Sequence, residues 1–244
     1  MNRKTALFSA ILVTLAVTTV GCAGPSSPGD ISAAVAAVKG SPTPAGQATG
    51  SPVPSPIPTV GNRVPWSQLP AISSEGKAGV VKMLAGANSF AGSTKRAKKG
   101  IVFVHVEGTD TIDAPMATDF WTTLSRDQYI FVFLPTAAGA HVVVRLQPTP
   151  AGGCGATDRG IAVGGIIPSA VIYVATTQDC RNVLAPWKTL THELGHFLLF
   201  PGIEGHISGA GFMGGDFSPM VSPLLEELVV WLLAVEPNTT PIEG

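Results

Sequence analysis

The chain has 244 residues, of which 45% are hydrophobic and 13% are charged, and its formal net charge is −1. This near-neutral balance gives no basic surface for nucleic acid, so we exclude a nucleic-acid partner on electrostatic grounds. The length suffices for one domain with a sizeable hydrophobic core, and we expect that domain to be a monomer.

Residues 1–21 have the pattern of a bacterial export signal of the lipoprotein type. A short basic region at residues 2–4 precedes an apolar stretch, residues 6–20, that is too short to span a bilayer comfortably. Gly21 directly before Cys22 resembles a lipobox, in which the cysteine is lipidated and becomes the first residue of the mature protein. We therefore expect the protein to be exported and held at the outer face of a bacterial membrane, at the cell surface or in the periplasm, by a lipid anchor on Cys22. Secretion without lipid, after cleavage nearby, is the alternative.

Residues 22–61 are rich in proline, serine and glycine, with repeated Ser-Pro steps between residues 41 and 56. Such a segment cannot bury enough apolar surface to form a core, and its prolines favour extended, polyproline-like conformations. We interpret it as a tether that holds a folded domain, residues 62–244, away from a membrane surface.

The rest of the chain alternates between helical and strand patterns. Residues 66–90 are weakly helical, and residues 111–126 have large apolar side chains at helical spacing. The segments with strand patterns are residues 101–106, 129–134, 141–146, 160–165 and 170–175. A helix around residue 192, a loop-rich stretch and a last helix at residues 219–235 complete the predicted order.

Residues 192–196 carry the pattern His-Glu-x-x-His within the predicted helix. Because four residues turn a helix through about 400°, His192 and His196 lie on one face and can bind a single metal ion. Glu193 points toward the same cleft from the adjacent position, where it can accept a proton from water. The pattern therefore predicts a zinc site with a general base beside it.

The stretch from His192 to Met213 resembles the metzincin zinc metalloproteases, whose H-E-x-x-H-x-x-G-x-x-H signature is followed by a methionine turn beneath the metal. The resemblance implies an α+β fold with a twisted mixed sheet, an active-site helix, an irregular lower subdomain and a C-terminal helix. It implies Zn2+ bound by His192, His196 and His206, with Met213 in the methionine turn. It also implies that Glu193 is the general base and that the substrate is a peptide or protein.

The sequence departs from the metzincin pattern in two places. Leu199 occupies the position of the usual glycine, and His206 comes four residues later than the third histidine of the family. We expect the extra residues to extend the helix by about one turn, with Pro201 and Gly202 ending it. Residues 201–206 can span up to about 20 Å, which is enough to return His206 to the metal.

The third metal ligand has competitors. Glu226 and Glu227 lie in the predicted last helix, and a glutamate on a later helix is the third ligand of the gluzincin proteases. Glu204 and Asp216 are two further carboxylates near the motif. Met220 is the alternative residue for the methionine turn.

Two functions other than hydrolysis remain open: a non-catalytic zinc-binding surface lipoprotein, and a surface binding module without a metal. In metzincins an edge strand above the cleft pairs with extended substrate through main-chain hydrogen bonds, and residues 160–165 are our candidate for that strand. His105 and His141 lie on predicted strands, and we interpret both as structural residues.

The chain contains three cysteines, an odd number for an exported protein. If Cys22 carries lipid, Cys154 and Cys180 remain as one pair, and an oxidising compartment favours a disulfide between them. The alternative is that these two cysteines are free thiols.

Overall fold

The computed structural model describes residues 61–86, 92–108, 112–148, 153–202, 205–214 and 220–244. The predicted signal segment, the predicted lipidation site Cys22, nearly all of the predicted tether, Glu204 and Asp216 lie outside these described residues.

The described chain contains nine strands and five helices. In chain order the strands are β1 (Asn62–Pro65), β2 (Arg96–Ala97), β3 (Gly100–Glu107), β4 (Tyr129–Phe133), β5 (Val142–Gln147), β6 (Gly155–Arg159), β7 (Ile166–Ile167), β8 (Ala170–Ala175) and β9 (Thr239–Ile242). The helices are α1 (Ser74–Ala85), α2 (Ala114–Leu124), α3 (Gln178–Val183), α4 (Pro186–Leu198) and α5 (Pro223–Ala234).

A five-stranded mixed sheet organises the fold, with the strand order β4-β3-β5-β8-β6. Four strands run parallel, and β6 joins the sheet at one edge by antiparallel pairing with β8. Two small parallel pairs, β1 with β9 and β2 with β7, lie outside this sheet. The fold is therefore a mixed α+β arrangement, as the sequence predicted.

One face of the sheet packs against helices α2 and α4. Strand alternation turns Val102 and Val104 of β3 into this core, where both are almost fully buried. Trp121 of α2 is also fully buried, and its indole N–H donates to the main-chain carbonyl of Thr191 in α4 at 2.7 Å. This contact fixes the position of α4, the helix that carries the His-Glu-x-x-His motif.

Helices α1 and α5 pack together below this layer. Ser73 caps α1 by accepting from the Gly76 N–H, while its own N–H and hydroxyl donate to the Glu227 carboxylate at 2.7 and 2.6 Å. At the other end of α5, the buried Arg96 guanidinium donates to the carbonyls of Leu232 and Val235, both at 2.8 Å. A cation at a helix C-terminus satisfies carbonyls that have no partner within the helix.

Most predicted elements are confirmed, although the bounds of several differ. The helix predicted at residues 66–90 is α1 preceded by a 3-10 turn at Trp66–Gln68, and the last helix begins at Pro223. The strand predicted at residues 160–165 is wrong. The strand is instead β6, which ends at Arg159, and the predicted segment forms a turn-containing loop.

The disulfide between Cys154 and Cys180 is present, with a Cα–Cα distance of 5.4 Å. It joins the residue before β6 to α3, and by the chain-entropy estimate a loop of this size contributes about 3 kcal/mol to stability. The bond is consistent with export to an oxidising compartment. Among the described residues no helix has the length and apolar character needed to cross a membrane.

Candidate metal centre

Helix α4 presents His192 and His196 one turn apart and then ends at Leu198. The N–H groups of Leu199 and Phe200 both donate to the Gly195 carbonyl, at 3.0 and 2.9 Å, which closes the helix. The predicted extra helical turn is therefore wrong. The four additional residues belong to the loop that leads to His206, because the chain leaves helical geometry at Leu199, whose φ is −142°.

Two glycines allow this loop to fold back toward His192 and His196. Gly202 has a φ of +75°, a conformation that disfavours residues with a Cβ. Gly205 donates its N–H to the Gly202 carbonyl at 3.0 Å, and a Cβ there would overlap the Phe200 carbonyl. At the end of the loop Lys82 donates to the main-chain carbonyl of His206 at 3.0 Å, which fixes the backbone of that residue.

The three histidines meet at their Nε2 atoms. The Nε2 of His192 lies 2.9 Å from that of His206 and 3.1 Å from that of His196, and the His196 and His206 atoms are 3.0 Å apart. These three side chains are the group that could hold a metal ion within the described ranges. The sequence-predicted set His192, His196 and His206 is thus brought together by the fold.

Main-chain carbonyls orient two of the rings. The Nδ1 of His192 lies 3.0 Å from the Phe212 carbonyl oxygen, and the Nδ1 of His196 lies 2.7 Å from that of Phe200. A carbonyl only accepts, so each Nδ1 carries the proton and each Nε2 presents a lone pair to the centre of the cluster. Converging lone pairs repel one another unless a cation lies between them, which is the arrangement of a metal site.

The donor set fits zinc. Tetrahedral zinc with Zn–N distances of about 2.0–2.1 Å places its nitrogen ligands roughly 3.3 Å apart. The observed separations of 2.9–3.1 Å lie a few tenths of an ångström below this value, so small ring rotations suffice. Three imidazoles leave a fourth position for water or substrate, as in catalytic zinc sites.

Electrostatics keep the imidazoles neutral, which is the form that binds metal. Burial, followed by the charge of His206, lowers the pKa of His192 to about 4. Burial and the two neighbouring histidines lower the pKa of His196 well below its ordinary value. Burial and the nearby Lys82 ammonium also lower the pKa of His206.

Glu193 is buried against strand β6. The Thr157 hydroxyl donates to its carboxylate at 2.6 Å, and a Cβ on Gly155 would lie 2.5 Å from its Oε1 atom. Burial raises the pKa of Glu193 to about 7, and the hydrogen bond from Thr157 acts in the opposite direction. A carboxyl group with a pKa near neutrality can both accept and donate a proton.

Met213 lies beneath the motif helix. It is fully buried in a 3-10 turn, Gly211–Gly214, and a Cβ on Gly195 would lie 2.5 Å from its sulfur. The preceding carbonyl, that of Phe212, is the acceptor for His192. The turn therefore supports α4 and also orients one histidine. Met220, the alternative residue for a methionine turn, contacts this turn through its carbonyl, which accepts from the Phe212 N–H.

The competing glutamates are engaged elsewhere. Both carboxylate oxygens of Glu227 accept hydrogen bonds from Ser73 at the start of α1, and Glu226 is exposed on α5. Neither belongs to the histidine cluster. The strand histidines, His105 and His141, bond to main-chain groups of Leu134 and Phe103 in the sheet region, as expected of structural residues.

Sequence reasoning missed Thr157 and the carbonyls of Phe200 and Phe212. Thr157 lies in Gly-Ala-Thr-Asp-Arg, which has no apolar alternation to reveal a strand. Main-chain carbonyls carry no residue signature, so only the path of the loop shows them.

Comparison of the chain with known protein families, with characterised proteins and with solved structures found no match.

Proposed function

We propose that this protein is a zinc-dependent endopeptidase of the metzincin kind, with His192, His196 and His206 as zinc ligands and Glu193 as general base. One observation carries the proposal: three Nε2 atoms, two of them from helix α4 and one from the loop after it, lie within 3.1 Å of one another, and α4 also holds a buried glutamate. A structural histidine cluster needs neither the converging lone pairs nor the adjacent buried carboxyl group.

The residues of the site have distinct roles in the proposed reaction. When bound, zinc supplies a Lewis acid that polarises a peptide carbonyl and acidifies a coordinated water. Glu193 accepts the proton from the attacking water and delivers it to the leaving amine. Thr157 holds the Glu193 carboxylate in one orientation through its 2.6 Å hydrogen bond.

Strand β6 is the part of the fold best suited to bind an extended peptide. It is the last strand in the sheet order, and its residue Thr157 contacts the proposed general base. An extended substrate can add to such an edge through main-chain hydrogen bonds. We therefore assign main-chain pairing with the substrate to β6 and not to residues 160–165, the segment that the sequence suggested.

Zinc content and peptide hydrolysis, measured together, test the proposal. The mature wild-type protein should bind about one zinc and cleave a protein substrate such as casein. Glu193→Gln should keep the zinc and lose at least about a hundredfold in rate, because proton transfer contributes roughly that much. His206→Ala should lose zinc affinity, whereas Glu226→Gln, the matched control, should change neither quantity.

The outcomes separate the alternatives. Zinc binding without any Glu193-dependent turnover would leave a non-catalytic zinc-binding surface protein. If zinc binds equally well to His206→Ala, His206 is not a zinc ligand and the proposed ligand set is wrong. If the wild-type protein binds no zinc, the proposal of a zinc-dependent enzyme is wrong.

We also propose that the protein is exported and held by lipid on Cys22, with residues 22–61 as a tether. The basic and apolar pattern before Cys22 supports this location, and so does the disulfide of the folded domain. Mass spectrometry of the mature amino terminus tests it. A lipid-modified Cys22 is the expected result, and an unmodified cysteine would contradict the anchor.

A further inference from the structure

The disulfide lies at one end of β6, the strand that contacts Glu193. Cys154 directly precedes this strand, and the next residue, Gly155, packs closely on α4. A Cβ on Gly155 would lie 2.5 Å from the Glu193 Oε1 atom and 2.6 Å from the Thr189 methyl group. Two residues further along β6, the Thr157 hydroxyl donates to the Glu193 carboxylate at 2.6 Å. The first half of β6 therefore forms one wall around the glutamate.

Sheet pairing holds β6 along one side. The strand is at the edge of the sheet, where it pairs with β8, and the Ala175 N–H donates to the Cys154 carbonyl at 2.9 Å. None of the five residues of β6 is fully buried. The position of the strand thus depends on its pairing with β8, on its contact with α4 and on the disulfide at its start.

The other end of the disulfide lies in α3, which leads into the motif helix. Cys180 belongs to this helix of six residues, none of which is buried. Leu184 and Ala185 alone separate α3 from Pro186, the first residue of α4. Because neither β6 nor α3 contributes a fully buried residue, the bond joins two surface elements beside the site and not two parts of the hydrophobic core.

We propose that the disulfide between Cys154 and Cys180 positions Glu193, so that full hydrolytic activity requires the oxidised protein. This inference rests on the proposed function. The bond closes a ring of contacts: β6 is joined through the two cysteines to α3, α3 leads into α4, and Glu193 of α4 accepts from Thr157 of β6. When the disulfide is open, the start of β6 can move away from α4, and the carboxylate loses its fixed orientation.

The bond forms by thiol–disulfide exchange with an oxidant that is itself a disulfide. The thiolate of one cysteine attacks a sulfur atom of the oxidant R–S–S–R and releases R–S⁻, and the second cysteine thiolate attacks the mixed disulfide and releases another. The two cysteine thiols thereby lose two electrons and two protons, and the oxidant is reduced to two R–SH. Cys154 and Cys180 are both partly exposed, so small reagents reach them. The chain consequently gains full activity in an oxidising compartment and not in a reducing one.

The mature protein with an intact and with an opened disulfide, as wild type and as Thr157→Val, tests the proposal. Tris(2-carboxyethyl)phosphine opens the bond, and the appearance of two new thiols per chain measures its opening. The reductant is removed without air before zinc content and the rate at saturating casein are measured. Cys154→Ser/Cys180→Ser, alone and combined with Thr157→Val, repeats the comparison without a reductant. The two routes are independent, so the test does not require that the double variant folds or that the wild type is readily reduced.

We expect the opened wild type to keep its zinc and to lose about tenfold or more in rate, since an oriented base contributes at least that factor. In Thr157→Val, opening the bond should cost less than about threefold, because the hydrogen bond through which the disulfide acts is already absent. Oxidised glutathione should restore the rate of the reduced wild type. Val229→Ala is the control for stability: it removes buried methyl groups from α5, leaves the ring closed and should keep the wild-type rate.

An unchanged rate in the opened wild type would overturn the proposal. An equal loss in wild type and Thr157→Val would also overturn it, because a disulfide that only stabilises the fold gives that result. Loss of zinc on opening would mean that the bond holds the metal ligands and not the base. These three results leave the proposed function intact. If the oxidised wild type hydrolyses no casein, the proposed function is wrong, and the inference fails with it.

Discussion

Variants of Thr157 can separate the orientation of Glu193, the proposed general base, from metal binding. Its hydroxyl donates to the Glu193 carboxylate at 2.6 Å, and Thr157 is not one of the three residues that could hold a metal ion. We expect Thr157→Val, which keeps the shape and removes the hydroxyl, to retain one zinc and to lower kcat about tenfold or more. The loss follows because a buried carboxylate without its donor is both less well oriented and less stable.

Thr157→Ser is the conservative control for this prediction. It keeps a hydroxyl at the same position and should restore most of the rate. If Thr157→Val were fully active, Glu193 would not depend on this hydrogen bond, and a purely structural role for Thr157 would remain.

At the scale of single residues, the sequence could predict the histidines and the glutamate but not what orients them. Helical periodicity alone places His192 and His196 on one face. For His206 the sequence could predict only that the loop is long enough to bring the side chain back to the metal site. The actual path of the loop depends on Gly202 and Gly205. The carbonyls that bind the Nδ1 atoms come from Phe200 and Phe212, whose side chains are irrelevant to that role.

At the scale of secondary structure, the close contact between α4 and the turn that holds Met213 leaves little room for a side chain at Gly195. A Cβ there would lie 2.5 Å from the Met213 sulfur and 2.7 Å from the Trp121 ring. We expect Gly195→Ala to destabilise the protein by about 1–3 kcal/mol, because overpacking exceeds the gain in helix propensity of roughly 1 kcal/mol. Chemical denaturation monitored by circular dichroism measures the change.

Gly79 in α1 is the matched helical glycine for this comparison. A Cβ there would lie 3.3 Å from its nearest neighbour, a side-chain methyl group of Ile207, so the new atom needs only a small adjustment. Gly79→Ala should therefore change stability by less than about 1 kcal/mol. Equal effects of the two substitutions would show that Met213 and Trp121 yield easily, and that α4 is not tightly held.

The elements differ in how well their sequence reveals them. Strands β3, β5 and β8 are flanked by neighbours on both sides, so their apolar runs predict them directly. Strand β6 is a polar edge strand, and its pairing with β8 is visible only in three dimensions. The loop at residues 160–165 alternates like a strand, yet Ile161 and Val163 are 82% and 76% exposed, and Gly164 and Gly165 have positive φ values.

At the scale of the whole molecule, the histidine cluster connects the sheet layer to the lower half of the fold. His192 and His196 belong to α4, which packs on the sheet, whereas His206 lies in the segment that Lys82 of α1 holds. A metal that binds all three side chains in the native state therefore links the two halves, and it cannot find this arrangement in the unfolded chain.

Zinc should consequently raise the thermal stability of the entire domain. Free zinc at about a hundred times its Kd adds roughly 2.7 kcal/mol, which corresponds to an increase in Tm of about 5–10 °C for a domain of this size. Differential scanning calorimetry of the chelator-treated protein, before and after addition of zinc, measures the increase. His206→Ala should abolish it, because the lower half then contributes no ligand. His105→Ala, which removes a histidine that bonds to the Leu134 carbonyl, should shift the baseline Tm and leave the zinc-induced increase intact. An equal increase in His206→Ala would mean that zinc binds without joining the two halves of the fold.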